Sequence, residues 1–111
     1  MDFKLRESGD VTVIRLNGDM VGGPDATGLS EKLHELLEAG RKKILIDMEC
    51  VRWMNSSGLG ILIGAVTTVR NHGGELKLLR LGPKPGQLLK ITRLDRIFEF
   101  FDNEELALDS F

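Results

Sequence analysis

Cysteine is nearly absent from this sequence: among 111 residues only Cys50 carries a thiol. One cysteine cannot close an internal disulfide or supply a cysteine-based metal cluster. Tyrosine is missing altogether. Histidine is limited to His34 and His72, far apart in the sequence, each inside a helix-like stretch and outside any zinc-type spacing. A Cys/His or Ser/His pair can meet in space without being close in sequence, but these two histidines read as solvated helix residues. Neither a metal site nor a catalytic site is expected. A basic excess is also lacking, since 15 lysines and arginines against 17 aspartates and glutamates leave a net charge of -2. That balance disfavours a dedicated nucleic-acid binder. No apolar run approaches the roughly 18–20 residues of a membrane span, and Met1-Asp2-Phe3-Lys4 does not begin a signal peptide. The expectation is a cytoplasmic protein with no membrane span, no cofactor and no direct contact with nucleic acid.

What is present fits one globular domain over residues 1–111. Hydrophobic residues at 41% and charged residues at 29% argue against intrinsic disorder. Phe3-Lys4-Leu5-Arg6 and Val11-Thr12-Val13 alternate apolar and polar around the turn chemistry of Ser8-Gly9-Asp10, which predicts a β-hairpin running to about Asn17-Gly18. After Gly22-Gly23-Pro24 the period changes. Leu29, Leu33, Leu36 and Leu37 form one helical stripe that Gly40 is placed to stop. Lys43-Ile44-Leu45-Ile46-Asp47 reads as a strand buried on both faces. Asn55-Ser56-Ser57 is a capping cluster that opens a second helix ending at Gly73-Gly74. Glu75 to Leu79 is another strand, Pro85 to Ile91 a short helix, and Ile97 to Phe101 a last strand. Asn103 caps a C-terminal helix through Leu106 and Leu108. Strands alternating with helices imply parallel neighbours. The fold class is therefore α/β, a mixed sheet with an N-terminal hairpin and about four helices mainly on one face.

The most unusual segment is Val51-Arg52-Trp53-Met54-Asn55-Ser56-Ser57-Gly58-Leu59-Gly60. It follows a buried strand and opens a helix, the edge of an open α/β sheet where ligands and partners bind. Its hydroxyls and free backbone N–H groups suit an anion. Gly58 and Gly60 each give up roughly 1 kcal/mol of helix propensity, which suggests that something approaches the backbone closely. A plainer reading is that Asn55 or Ser56 caps the helix and the glycines let it pack tightly on the sheet. The stretch is no P-loop, because it lacks the Gly-Lys-Ser/Thr ending. Nor is it a dinucleotide fingerprint, because the third glycine is missing. Nucleotide binding or weak hydrolysis there is disfavoured, since no lysine or arginine follows Ser56 until Arg70.

Asn55-Ser56-Ser57-Gly58-Leu59-Gly60, preceded by Val51 and Met54, resembles the Asp-Ser-Ser/Thr-Gly-Leu-Gly signature of anti-sigma factor antagonists, the STAS-domain family. Leu16-Asn17-Gly18-Asp19-Met20 resembles the family's segment after its second strand, and Asn71-His72-Gly73-Gly74-Glu75-Leu76 its helix-to-strand junction. Leu94 through Ala107 resembles the closing strand and helix. The resemblance implies a regulator rather than an enzyme. Such a protein binds an anti-sigma factor that is also a serine kinase, freeing a sigma factor. It is phosphorylated on the serine after the aspartate position and is restored by a metal-dependent serine phosphatase. Carried across, the phosphoacceptor is Ser56, with Ser57 the neighbouring hydroxyl. The implied partner surface comprises Asp19, Val21, Gly22, Gly23, Asn55, Ser56, Ser57, Gly58, Leu59 and Gly60.

Three positions depart from the family pattern: Asn55 stands for aspartate, Val21 for a second acidic residue, and Arg93 for a glycine before Leu94. Some family members are constitutive modules of larger assemblies or of transport systems, so a non-phosphorylated scaffold is the alternative. Other features carry simpler readings. Arg41-Lys42-Lys43 is a solvated basic cluster near a helix C-terminus, and Trp53 is core or half-buried packing, with a partner anchor as the rival. Cys50 is a small buried residue, and Asp102, Glu104 and Glu105 are helix N-terminal charges.

Overall fold

A computed structural model describes residues 2–22 and 24–111, with the backbone alone for 24–26. Alternation in the first segment produces two paired strands, β1 (Asp2–Ser8) and β2 (Val11–Asn17), antiparallel from Asp2↔Asn17 to Ser8↔Val11. The period then becomes helical in α1 (Pro24–Glu38). The apolar run becomes β3 (Lys43–Cys50), and the capping cluster opens α2 (Ser56–Asn71). Next come β4 (Glu75–Leu79), α3 (Pro83–Ile91), a 3-10 turn at Leu94–Arg96, β5 (Phe100–Phe101) and α4 (Glu104–Asp109). The sheet order is β1-β2-β3-β4-β5, with every pair after the first parallel.

Strand periodicity sorts the core into two unequal layers. Ile14, Leu16, Ile44, Ile46, Met48, Leu76 and Leu78 face α1, α2 and α3 and pack on Leu29, Leu33, Leu62, Val66, Val69 and Leu89. Alternate residues Val11, Val13, Leu45 and Leu79 form a smaller layer with Ala107 of α4. β3 and β4 are apolar on both sides because both layers use them, as parallel strands between covered faces require.

Two boundaries differ clearly from the sequence reading. The last strand is confined to Phe100–Phe101, paired with Leu78 and Leu79. Upstream, Arg93 takes a left-handed φ of 60° and the chain turns through Leu94–Arg96, which sends Phe98 into the main core instead of along the sheet. Helix α3 starts at Pro83 instead of Pro85, because Gly82 caps it in extended conformation and proline at the first helical position loses no hydrogen bond. The Arg41-Lys42-Lys43 cluster is not simply solvated. Arg41 donates to Thr12 Oγ1 at 3.2 Å, and Lys43 reaches Asp10 at 2.6 Å, fastening the hairpin turn to β3. The hydrogen bond from Lys43 holds the Asp10 carboxyl below its ordinary value. Glu104 and Glu105 lie in the first turn of α4, as expected, and Glu104 pairs with Arg6.

Candidate functional site

The parallel strands β2 and β3 end on the same edge of the sheet, and the segments leaving them are joined there. The Met20 N–H donates to the Trp53 carbonyl at 3.0 Å, and the Asn55 N–H donates to the Met20 carbonyl at 3.2 Å. Met20 and Met54 thereby form a parallel bridge beyond the ends of both strands. Asn55 then turns the chain into α2. Its backbone is extended, and its Oδ1 accepts from the Gly58 N–H at 2.8 Å. Ser56 and Ser57 follow as the first two helical residues, both exposed. The helix itself has no acceptors for their N–H groups.

Two glycines make this junction. A Cβ on Gly58 would lie 1.9 Å from the Met20 carbonyl oxygen, so only glycine lets α2 approach the post-β2 segment. Gly22 has φ +92°, and a Cβ there would meet Ser57 Cβ at 2.7 Å. Gly60 is different. It is exposed, has no neighbour within 4 Å of a would-be Cβ, and borders a groove of about 220 Å³ between α1 and α2.

Upstream, β3 carries an irregularity that aims the chain at this junction. Arg15 pairs with Asp47 but Asn17 with Cys50, so β3 spends one residue more than β2. Asp47, only 2% exposed, holds the kink: its Oδ1 accepts from the Glu49 N–H at 3.0 Å and its Oδ2 from Arg80 at 3.1 Å. Arg80 also reaches Glu49 at 3.2 Å and adopts a left-handed φ of 55° to do so. Cys50 is half-buried rather than buried, because its Sγ accepts from the Arg15 guanidinium at 3.1 Å. That hydrogen bond raises the arginine's pKa further.

The STAS domain family model matches residues 2–107. This chain belongs to the STAS domain family. A relative from Paenibacillus polymyxa named anti-sigma F factor antagonist is 24% identical over 109 residues, covering 97% of this chain and 92% of the relative. The solved structure of an anti-sigma factor antagonist from Mycobacterium paratuberculosis shares the fold at TM-score 0.81 and 20% identity, covering 98% of this chain and 92% of that one. The Bacillus cell fate determinant SpoIIAA, solved in its phosphorylated form, does so at TM-score 0.75 and 23% identity, covering 98% of each chain.

In this STAS domain the residues singled out in the sequence divide by exposure. Asp19, Ser56, Ser57 and Gly60 are exposed, as is Val21 at 45%; Trp53 beside them is exposed to the same degree, which corrects the expectation of core or half-buried packing. Gly22 and Asn55 are partly covered, and Gly23 lies outside the described residues. Gly58 and Leu59 are corrections to the expected contact surface. Both are buried, Leu59 within the main core, so they hold the site without presenting side chains from it. The close backbone approach inferred from the two glycines is made inside the fold at Gly58, and none of the described residues makes it at Gly60. Sequence reasoning missed the Asp47–Arg80 pair. An aspartate closing an apolar strand was its one visible signal, and the arginine lies a whole helix and strand away.

Proposed function

We propose that this STAS domain is an anti-sigma factor antagonist: it binds an anti-sigma factor with serine kinase activity, frees a sigma factor, and is switched off by phosphorylation of Ser56. The placement of Ser56 carries the reading. It is exposed as the first residue of α2, behind a capping Asn55 and on the same edge as Asp19 and Val21. The name of the Paenibacillus relative supports the same role, and SpoIIAA is a protein of this fold that exists in a phosphorylated form.

The local chemistry suits such a switch. A phosphate adds about -1.5 to -2 charges and three strong acceptor oxygens. At the N-terminal end of α2 the helix dipole and the unused amides of the first turn accommodate that charge, so the fold persists while the partner surface changes sign. A metal-dependent serine phosphatase reverses the step. The domain then acts by binding in the cytoplasm, without an enzymatic activity of its own. Asn55 favours one rival reading, a constitutive scaffold, because it removes the charge that the family's aspartate places beside the acceptor.

Incubation with the cognate kinase and ATP, followed by peptide mass spectrometry, separates the two. Phosphate on Ser56 is expected. Phosphate on Ser57 alone, or on neither serine with an active kinase, overturns the assignment and leaves the scaffold. Ser56→Ala is expected to bind the kinase and resist modification, and Ser56→Glu to bind more weakly.

A further inference from the structure

Positive charge is concentrated in one stretch of this chain. Between Pro83 and Arg96, α3 and the 3-10 turn after it carry Lys84, Lys90, Arg93 and Arg96 against Asp95 alone, although the whole chain has a net charge of -2. All four cations are exposed. Among the described residues none of them is in an ion pair, whereas Arg6, Arg41, Lys43, Lys77 and Arg80 on and beside the sheet each hold a carboxylate. Arg93 also sits in left-handed backbone, φ 60°, which glycine adopts freely and an L side chain resists. The same stretch walls a groove of about 470 Å³ between α3 and β5. Leu81, Pro83, Gly86 and Phe100 are its apolar lining, with Lys90 and Asp95 among them. A Cβ on Gly86 would meet Leu81 at an ordinary 3.7 Å, so packing does not require glycine there, and the missing side chain leaves the groove open.

We propose that this groove receives α4 of a second copy of the chain, with Leu106 seated against Leu81, Gly86 and Phe100. The outer face of α4 has the matching chemistry. Asp102, Glu105, Leu106 and Asp109 fall at i, i+3, i+4 and i+7, one helical face, and all four are exposed, Leu106 at 63%. Among the described residues none of these three carboxylates is in an ion pair; Glu104, which pairs with Arg6, lies on the inner side. An acidic face around one bare leucine thus meets a basic stretch around one apolar groove, an anchor in a pocket with charge pairs at its rim. The placement of the two surfaces allows the exchange to be mutual. β5 is the margin of the sheet, and its two residues point to opposite faces. Phe100 lines the groove, and Phe101 packs in the α4 layer. Two copies related by a two-fold axis at this margin can therefore each fill the other's groove. The contact uses neither Ser56 nor Asp19, so it stands apart from the proposed phosphorylation.

The test is analytical ultracentrifugation of tag-free protein over a concentration series, at low and at high salt. A monomer–dimer equilibrium that weakens as salt rises is expected. Leu106→Ser, Lys90→Glu and Glu105→Lys should each weaken the dimer roughly tenfold or more. All three residues are exposed, and circular dichroism should show folded variants. A mixture of the Lys90→Glu and Glu105→Lys proteins should dimerise nearly as well as wild type, because each contact then joins opposite charges again. Arg93→Gly should weaken the dimer while raising the thermal midpoint, since it removes a cation and relieves the left-handed backbone together. A chain that stays monomeric throughout the series overturns the proposal and leaves the groove to a segment of another protein. A dimer that survives Leu106→Ser and both charge reversals, or a mixture no better than either variant alone, overturns it as well.

Discussion

The first turn of α2 and the stripe that continues along the same helix through Gly60, Gly64 and Thr68 to His72 are built on opposite terms. In the first turn, Gly58 is fixed twice: its N–H donates to the Asn55 side chain, and its Cα lies against the Met20 carbonyl of another segment. Along the stripe, Gly60 and Gly64 have no neighbour within 4 Å of a would-be Cβ. Glycine in the first turn is therefore an architectural requirement, whereas glycine in the stripe weakens the helix without a compensating internal contact. The same residue type marks a joint in one place and an open surface in the other.

Substitutions can break or sharpen that contrast. Gly58→Ala should have the largest effect, a loss of about 3 kcal/mol, because its methyl must displace backbone rather than a flexible side chain; urea unfolding reads it directly. Asn55→Ala removes a cap and should destabilise by about 1 kcal/mol in the same assay. Asn55→Asp should be nearly neutral for stability, since both residues cap well, while changing the rate of Ser56 phosphorylation. Gly60→Ala should move the other way, gaining up to about 1 kcal/mol. If the stripe also belongs to the partner surface, that gain will come with weaker kinase binding. His34→Ala should change stability least, by less than about 0.5 kcal/mol, as an exposed helix position predicts. A Gly58→Ala variant as stable as wild type would erase the distinction between the two regions.

How much was legible in the sequence follows from how local each feature is. The hairpin, β3, β4 and the asparagine caps of α2 and α4 were readable, because alternation, apolar runs and capping depend on residues within a few positions. Ile97 to Phe101 reads as a strand by composition. It is cut short because Phe98 finds its burial in the helical layer, a preference invisible to a local pattern. At the candidate site, the opening of α2 at Ser56 was legible through the capping cluster. The division between surface residues and supports was not. Leu59 and Gly58 are in the motif yet buried, while the meeting of His34 and His72 depends on two crossovers bringing α1 beside α2. The Asp47–Arg80 clasp likewise joins strands distant in sequence.

The sheet order, which follows the chain order without a single insertion, bears on how the molecule is made. Each strand pairs with the one synthesised just before it, so a nascent chain can extend the sheet one strand at a time from the hairpin without leaving a gap for a later arrival. The hairpin closes locally, but each parallel pairing waits for a helical crossover, Val11 meeting Lys43 and Lys43 meeting Glu75, and pairings of that kind are the slow steps of folding. The growing margin is always the newest strand, and the two-residue β5 with α4 behind it is the last to be laid down. A ribosome-stalled chain ending after β4 should already protect the amides of β2 and β3 from hydrogen exchange, with only the outermost pairing still to come.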